Sequence, residues 1–210
     1  SHSVKKLVYV SSIAALGNDP SISVIDENTP WDNDIDKNPY AYSKYGGEME
    51  VWRAMQEGLN AVIVNPGIVL GKDSPIETLL LRHKKGLRWC TTGNNAFVNI
   101  QDVITLMDKL MDSKIEGERF ILVAENWSGK VMVETLLKSG DFRPRVFFIP
   151  KGFLYFLWGL EHLMQLLGIR RRFLTRAIIS GQYEQKTIDG SKIKSFVDFE
   201  YSPITKLIFD

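Results

Sequence analysis

Leu7 to Val10 is a short apolar run that ends in Ser11-Ser12, the pattern of a buried strand delivering the chain into a polar loop. Residues 17–39 carry Gly17, Pro20, Pro30, Pro39 and many Asn, Asp and Ser residues, which predicts a long surface loop. Behind Pro39, apolar positions Tyr45, Met49, Val51, Trp52 and Met55 recur at roughly helical spacing. The pattern predicts a helix from Tyr40 to about Gln56, stopped by Gly58. Ala61 to Val64 is a second continuous apolar run, closing in Asn65-Pro66-Gly67. Two buried strands joined by a helix, each strand ending in a polar turn, indicate parallel βαβ architecture. The alternation continues with a helix over Pro75 to Lys85, a short strand Phe97 to Ile100 and a helix Asp102 to Met111. A strand Arg119 to Val123, a helix Val131 to Lys138 and a strand Val146 to Ile149 follow. After Pro150 the chain turns helical and greasy, with Phe153, Phe156, Leu157, Leu160, Met164 and Leu167 on one face. Arg170-Arg171-Arg172, another helix to Gly181 and a tail of one or two short helices from Ile188 complete the pattern. No internal repeat, low-complexity segment or sharp change of composition divides it.

Composition narrows the function classes. The 210 residues hold 26 Lys+Arg against 25 Asp+Glu, and 44% are hydrophobic, which excludes a disordered chain. A net charge of +1 excludes an electrostatically driven nucleic-acid binder, which would carry a basic excess. Cys90 stands alone and cannot form an internal disulfide, consistent with a reducing compartment, so we expect a cytoplasmic protein. The N-terminus runs into the first strand with neither a signal-peptide pattern nor an initiator Met, so a fragment, a processed product or a tag remnant is expected. The greasy stretch Gly152 to Gly168 contains Glu161 and His162 and is short for a transmembrane helix. Its stripe is expected to pack on a substrate-binding part or a neighbouring subunit. Lys151 and the arginine run leave contact with a membrane surface as the lesser alternative, and a substrate phosphate as another partner for the arginines.

The chemistry-bearing stretch is Tyr40-Ala41-Tyr42-Ser43-Lys44. Tyr40 and Lys44 are four apart on the predicted helix and share one face. A free phenol, with a pKa near ~10, is a poor base at neutral pH. A nearby ammonium favours the phenolate, so the phenol could exchange a proton with a substrate oxygen. Ser12, at the end of the first strand, is placed to fix that oxygen. By itself a Tyr-x-x-x-Lys spacing is common on solvated helix faces. Here it lies between Val8-Tyr9-Val10-Ser11-Ser12-Ile13-Ala14-Ala15-Leu16-Gly17 and Val64-Asn65-Pro66-Gly67-Ile68-Val69-Leu70-Gly71, with Glu48 on the same helix.

Those segments, in that order, resemble the extended short-chain dehydrogenase/reductase superfamily, and within it the NAD-dependent epimerase/dehydratase family. Asp26-Glu27-Asn28-Thr29-Pro30-Trp31 adds to the likeness, as does Phe97-Val98-Asn99-Ile100-Gln101-Asp102-Val103. In the latter, Asn99 replaces the family's usual His and Gln101 an Asp. The resemblance covers nearly the whole chain and is strongest from Val4 to Gly71. It implies an α/β fold: a Rossmann-like parallel sheet without its N-terminal half, and a mostly helical C-terminal substrate-binding part. Residues 1–70 would be the second half of the Rossmann domain with the catalytic helix. Residues 71–210 would be the substrate-binding part, interleaved with late Rossmann elements.

The resemblance makes Tyr40 the catalytic acid/base. Lys44 would tune it and hydrogen-bond the nicotinamide ribose, and Ser12 would orient the substrate oxygen. Ser11 is the secondary candidate for that role and is grouped with Tyr40, Lys44, Pro66, Gly67 and Ile68 as cofactor-binding. Tyr42, two residues from Lys44, points elsewhere. The implied cofactor is NAD or NADP, and the implied partner a small-molecule hydroxyl, carbonyl or sugar-nucleotide substrate, in a homodimer. The implied reaction is hydride transfer, as a reductase or dehydrogenase, with sugar-nucleotide epimerase/dehydratase and non-catalytic NAD(P)-binding regulator as alternatives. The family's Gly-x-x-Gly-x-x-Gly turn, which would receive the pyrophosphate, does not occur in this sequence, so we expect a C-terminal fragment of a longer enzyme. His2, His83 and His162 are dispersed and show no metal-ligand spacing. Cys90 reads as a core or loop thiol, and Asp102 as a helix cap or first-turn residue.

Overall fold

A computed structural model describes residues 4–19, 21–31, 39–72, 81–83, 85–139, 143, 145–166, 168 and 175–209. Along the chain run β1 (Leu7–Val10), β2 (Val24–Ile25), α1 (Pro39–Gln56), β3 (Ala61–Pro66), β4 (Ile68–Leu70), β5 (Trp89–Cys90) and β6 (Asn94–Asn99). Then come α2 (Ile100–Asp112), β7 (Glu118–Leu122), β8 (Glu125–Ser128), α3 (Gly129–Ser139), β9 (Phe147–Phe148) and α4 (Lys151–Leu166). Last are α5 (Arg176–Gly181), β10 (Thr187–Ile188) and α6 (Ile204–Phe209), with 3-10 turns at Ile13–Ala15 and Lys192–Ser195.

β3 is the middle strand of a parallel sheet ordered β1-β3-β7, with Val10 opposite Val64 and Val64 opposite Phe120. All six of its residues are buried, which is why Ala61 to Val64 reads as an unbroken apolar run. Successive side chains take opposite faces. Val62 and Val64 join Val8, Phe120 and the α2 residues Val103, Leu106 and Leu110 in one core. Ala61 and Ile63 meet Val51 of α1, with Tyr9, Trp52 and Met55 around them. The sheet is therefore covered by a helix on each face, and burying each large aliphatic contributes about 1.5–3 kcal/mol. β4, β6 and β8 form a second sheet, parallel at β4–β6 and antiparallel at β6–β8. Leu70, Phe97 and Trp127 from these strands pack with Leu136 and Leu137 of α3 and Ile204 of α6.

The structure moves several expected boundaries. The Phe97–Ile100 strand starts at Asn94, and Ile100 already belongs to α2. Asn99 caps that helix, its side chain accepting from the Gln101 N–H at 2.9 Å. Asp102 is thus not the cap but a buried first-turn residue, accepting from the Ser202 N–H (2.8 Å) and hydroxyl (2.9 Å) and tying the tail to α2. The short strands β2, β5 and β10 were not legible because each exists only through its pairing: β2 with β10, and β5 with β9. Among the described residues after Gly71, six strands alternate with the helices, three of them near the strands expected at Phe97, Arg119 and Val146. The Pro75–Lys85 helix falls largely outside the described residues, although Leu81–His83 is helical. Arg170 to Arg172 lie wholly outside them. Of the stripe, Phe153, Phe156 and Leu160 of α4 are exposed and Leu157 and Met164 half-buried, and α4 meets α5.

Candidate active site

β1 ends by passing the chain from a sheet bond into a turn. The Ser11 N–H donates to Val64 O at 2.8 Å, the last rung beside β3. Alternation then turns the two serines apart. The Ser11 hydroxyl goes inward and donates to Glu48 Oε2 at 2.7 Å. Ser12 is extended (φ −164°, ψ 155°) and caps the 3-10 turn, its Oγ accepting from the Ala14 N–H at 3.1 Å. That bond uses a lone pair, so the Ser12 proton remains for an incoming oxygen. Ser11 cannot share this role in the same conformation, because its one proton is already given to Glu48.

α1 packs on that turn. Tyr40 sits in the helix's first turn, 55% exposed. Lys44, one turn on, holds its Nζ 5.8 Å from the centre of the Tyr40 ring and 3.5 Å from Val10 O at the end of β1. The helix geometry thus delivers the expected Tyr40–Lys44 pair beside the strand end that carries Ser12. Tyr42 is occupied elsewhere: its ring meets Trp31 edge-on, and Trp31 stacks on Tyr45 at 4.1 Å.

Pro66 ends β3, and Ile68 begins β4 in the other sheet. Gly67 is the crossing point. Its N–H donates to Leu122 O at 3.0 Å, and a Cβ there would lie 2.5 Å from the backbone oxygen of Ala96. Only glycine allows the two backbones so close. Ile68 lines a cleft of about 700 Å³ together with Ile13, Ala14 and Ala41, the immediate neighbours of Ser12 and Tyr40. Ser12 and the Pro66–Ile68 turn lie at the carboxyl ends of parallel strands, where open α/β sheets take their ligands. The far wall of the cleft is Tyr155, Arg176 and Ser180 from α4 and α5.

Three polar residues under the site have larger roles than their sequence reading assigned. Glu48 is fully buried on α1 and accepts from Ser11, from Asn65 Nδ2 at 2.9 Å and from Arg119 Nη1 at 2.8 Å. Asn65 Nδ2 also donates to the Ser12 carbonyl at 2.9 Å. Arg119 further donates to the Glu27 carbonyl, and Glu27 accepts the Ile121 N–H at 2.8 Å. A polar residue directly beside an unbroken apolar run, as Asn65 is after Ala61–Val64 and Arg119 before Phe120–Leu122, was the available signal. Burial pushes the Glu27 carboxyl above the usual range, against the pull of the Ile121 N–H and Lys192. Cys90 is buried in β5, and burial raises its thiol pKa, so it is a packing thiol. His83 is buried with Nδ1 2.8 Å from Leu87 O, whereas His162 is exposed and stacks on Trp158. Among the described residues no cluster of His, Cys, Asp or Glu could hold a metal, and no helix is long and apolar enough to cross a membrane.

A parallel sheet covered on both faces, with an exposed Tyr-x-x-x-Lys helix and polar turns at its carboxyl edge, defines a Rossmann-like protein of the dehydrogenase/epimerase kind. The family model described as the NAD dependent epimerase/dehydratase family matches residues 1–123, and the chain belongs to that family. It is 30% identical over 137 residues to the "Putative dihydroflavonol 4-reductase" of Synechocystis, covering 60% of this chain and 39% of that one. It is 28% identical over 181 residues to "Sterol demethylase protein B" of Methylococcus capsulatus, covering 82% of this chain and 52% of that one. The crystal structure of gox2253 superposes with a TM-score of 0.80 at 25% identity, covering 99% of this chain and 64% of that chain. The chain thus spans about two fifths to one half of the length of these curated relatives.

Proposed function

We propose that this chain carries the catalytic end of an NAD(P)-dependent oxidoreductase acting on a hydroxyl or carbonyl group. The observation that carries the reading is the orientation of Ser12. Its oxygen is satisfied by Ala14, and its proton is left over at the carboxyl edge of the sheet, next to the strand end that Lys44 reaches. Ser12 would donate to the substrate oxygen, Tyr40 would exchange the proton with it, and Lys44 would stabilise the phenolate. The bound nicotinamide would supply or take the hydride. The turn Pro66-Gly67-Ile68 fits the nicotinamide end, because it stands at a strand's carboxyl end with Ile68 on the cleft and a glycine where a side chain has no room. Tyr40 and Lys44 would face the ribose side. No Gly-x-x-Gly-x-x-Gly turn occurs in this sequence, so the pyrophosphate end lies outside the proposal.

The cleft lining includes Ile13, Leu16, Ile25, Ile68, Ala96 and Ile188 beside polar groups such as Asn95, Arg176 and Lys186, and its apolar part favours an apolar alcohol or ketone over a sugar nucleotide. Similarity to a protein named as a reductase and to one named for sterol demethylation supports the same choice. The test is nicotinamide turnover by the full-length protein against panels of apolar ketones and of sugar nucleotides. Tyr40→Phe should lower kcat about 10²–10⁴-fold, while Tyr42→Phe should leave it within about twofold. Unchanged turnover in Tyr40→Phe would refute the assignment. Turnover of sugar nucleotides alone would replace the reductase reading with that of an epimerase or dehydratase.

A further inference from the structure

We propose that Glu48 is a positioning residue for Ser12. The inference rests on the catalytic reading above and deepens it. Glu48 is a fully buried carboxylate on a helix whose other face is solvated, and its hydrogen bonds reach three separate segments: Ser11, Asn65 on β3 and Arg119 on β7.

Stability alone does not account for it. A buried ion pair can be exchanged for well-packed apolar groups without loss, and often with gain. The neighbouring asparagine adds a cost of its own. Asn65 gives one amide proton to Glu48 and the other to the Ser12 carbonyl, while its buried Oδ1 has no partner among the described residues. The reverse orientation would set that oxygen against the carboxylate, so Glu48 dictates which way the amide faces. An unpartnered buried acceptor is unfavourable, and it is tolerated here where both donations are needed.

Those donations fix one short stretch of chain from two sides. Glu48 takes the Ser11 proton, which commits Ser11 inward and, by strand alternation, turns Ser12 outward. Through Asn65 it holds the Ser12 carbonyl, while the Ser12 Oγ caps the following turn. Glu48 is also one helical turn beyond Lys44 and two beyond Tyr40. The same carboxylate therefore sets the helix that carries Tyr40 and Lys44 against the loop that carries Ser12. Without it, Ser11 and Asn65 lose the acceptor that selects their orientation, and the Ser12 hydroxyl loses its fixed direction.

The experiment uses the full-length protein with three variants: Ser11→Ala, Glu48→Gln, and the double replacement Glu48→Met with Arg119→Met, which removes the ion pair together. Thermal unfolding, the nicotinamide-cofactor Kd, kcat and amide hydrogen exchange at Ser12 to Ala14 are measured for each. We expect the folded variants to keep the cofactor Kd within about threefold, to lose about 10- to 100-fold in kcat, and to exchange the Ser12–Ala14 amides faster. Ser11→Ala keeps the ion pair and serves if the others fail to fold. A folded variant with parental kcat and parental exchange would overturn the proposal. If the full-length parent turns over none of the substrates offered, the catalytic reading fails on its own, and exchange at Ser12–Ala14 still decides whether Glu48 orders that turn. Parental exchange overturns it, and faster exchange upholds it.

Discussion

Gly67→Ala perturbs the residue that joins β3 of the first sheet to β4 of the second. The added Cβ would stand 2.5 Å from Ala96 O, 3.0 Å from Ala96 C and 3.1 Å from Val123 Cγ2. The first contact is about 0.9 Å inside the 3.4 Å at which ordinary contact begins, and its partner is backbone of β6, which cannot rotate away. Relief requires the Gly67 backbone to move away from β6, at the expense of the Gly67 N–H bond to Leu122 O. Overpacking of this kind costs about 1–3 kcal/mol. At about 2–4 °C per kcal/mol for a chain of this size, Tm should fall by about 2–12 °C. Gly46→Ala is the internal control. Gly46 lies inside α1 with nothing within 4 Å of its added Cβ, so replacing it should stabilise the helix by about 0.5–1 kcal/mol. Thermal unfolding followed by circular dichroism, backed by urea titration, reads both. A Gly67→Ala protein that melts with or above the parent would refute the close approach of the Gly67 backbone to β6.

Asp102→Ala removes the acceptor of two donors from Ser202 and should cost about 1–3 kcal/mol, with faster proteolysis of the tail beyond Asp198; a tail as resistant as the parent's would contradict the anchor. Cys90 should resist alkylation in the folded protein at pH 7–8 and react on unfolding, since it is buried and its thiol pKa is raised. Rapid labelling of the native protein would place it elsewhere. Glu27 has its folded pKa raised by burial, so the folded state binds its proton more tightly than the unfolded state does. Its stabilising contribution is therefore present below the unfolded pKa and lost as pH rises through the folded value. Glu27→Gln keeps an acceptor for the Ile121 N–H and no longer titrates. The Tm of the parent minus that of the variant should fall as pH rises above the usual glutamate range, and a difference that does not change with pH would sink the assignment.

Elements with a strong local signal were legible before the fold was known. α1, α2, β3 and β7 each carry a periodic or unbroken apolar pattern, and each appears within a few residues of its expected place. The Tyr40–Lys44 pair was equally legible, because four residues on a helix fix a shared face whatever lies around it. The inward turn of Ser11 was not. Two adjacent serines are equivalent in sequence, and the fold tells them apart: the Ser11 hydroxyl donates to buried Glu48, while the Ser12 Oγ accepts from the Ala14 N–H. Nor was the exposure of Phe153 and Phe156, because a greasy helix looks the same whether or not a partner covers it.

By itself the sequence determined the βαβ order, the helix that holds Tyr40 and Lys44, and the family to which the chain belongs, since each rests on neighbours along the chain. The tertiary structure alone decided what joins distant segments. It paired β2 with β10, brought Arg119 and Asn65 to Glu48, and set Gly67 against Ala96. The physical reason is range. Periodicity and spacing act over a few residues, whereas burying a carboxylate or closing two backbones to contact depends on partners that only the completed fold brings together.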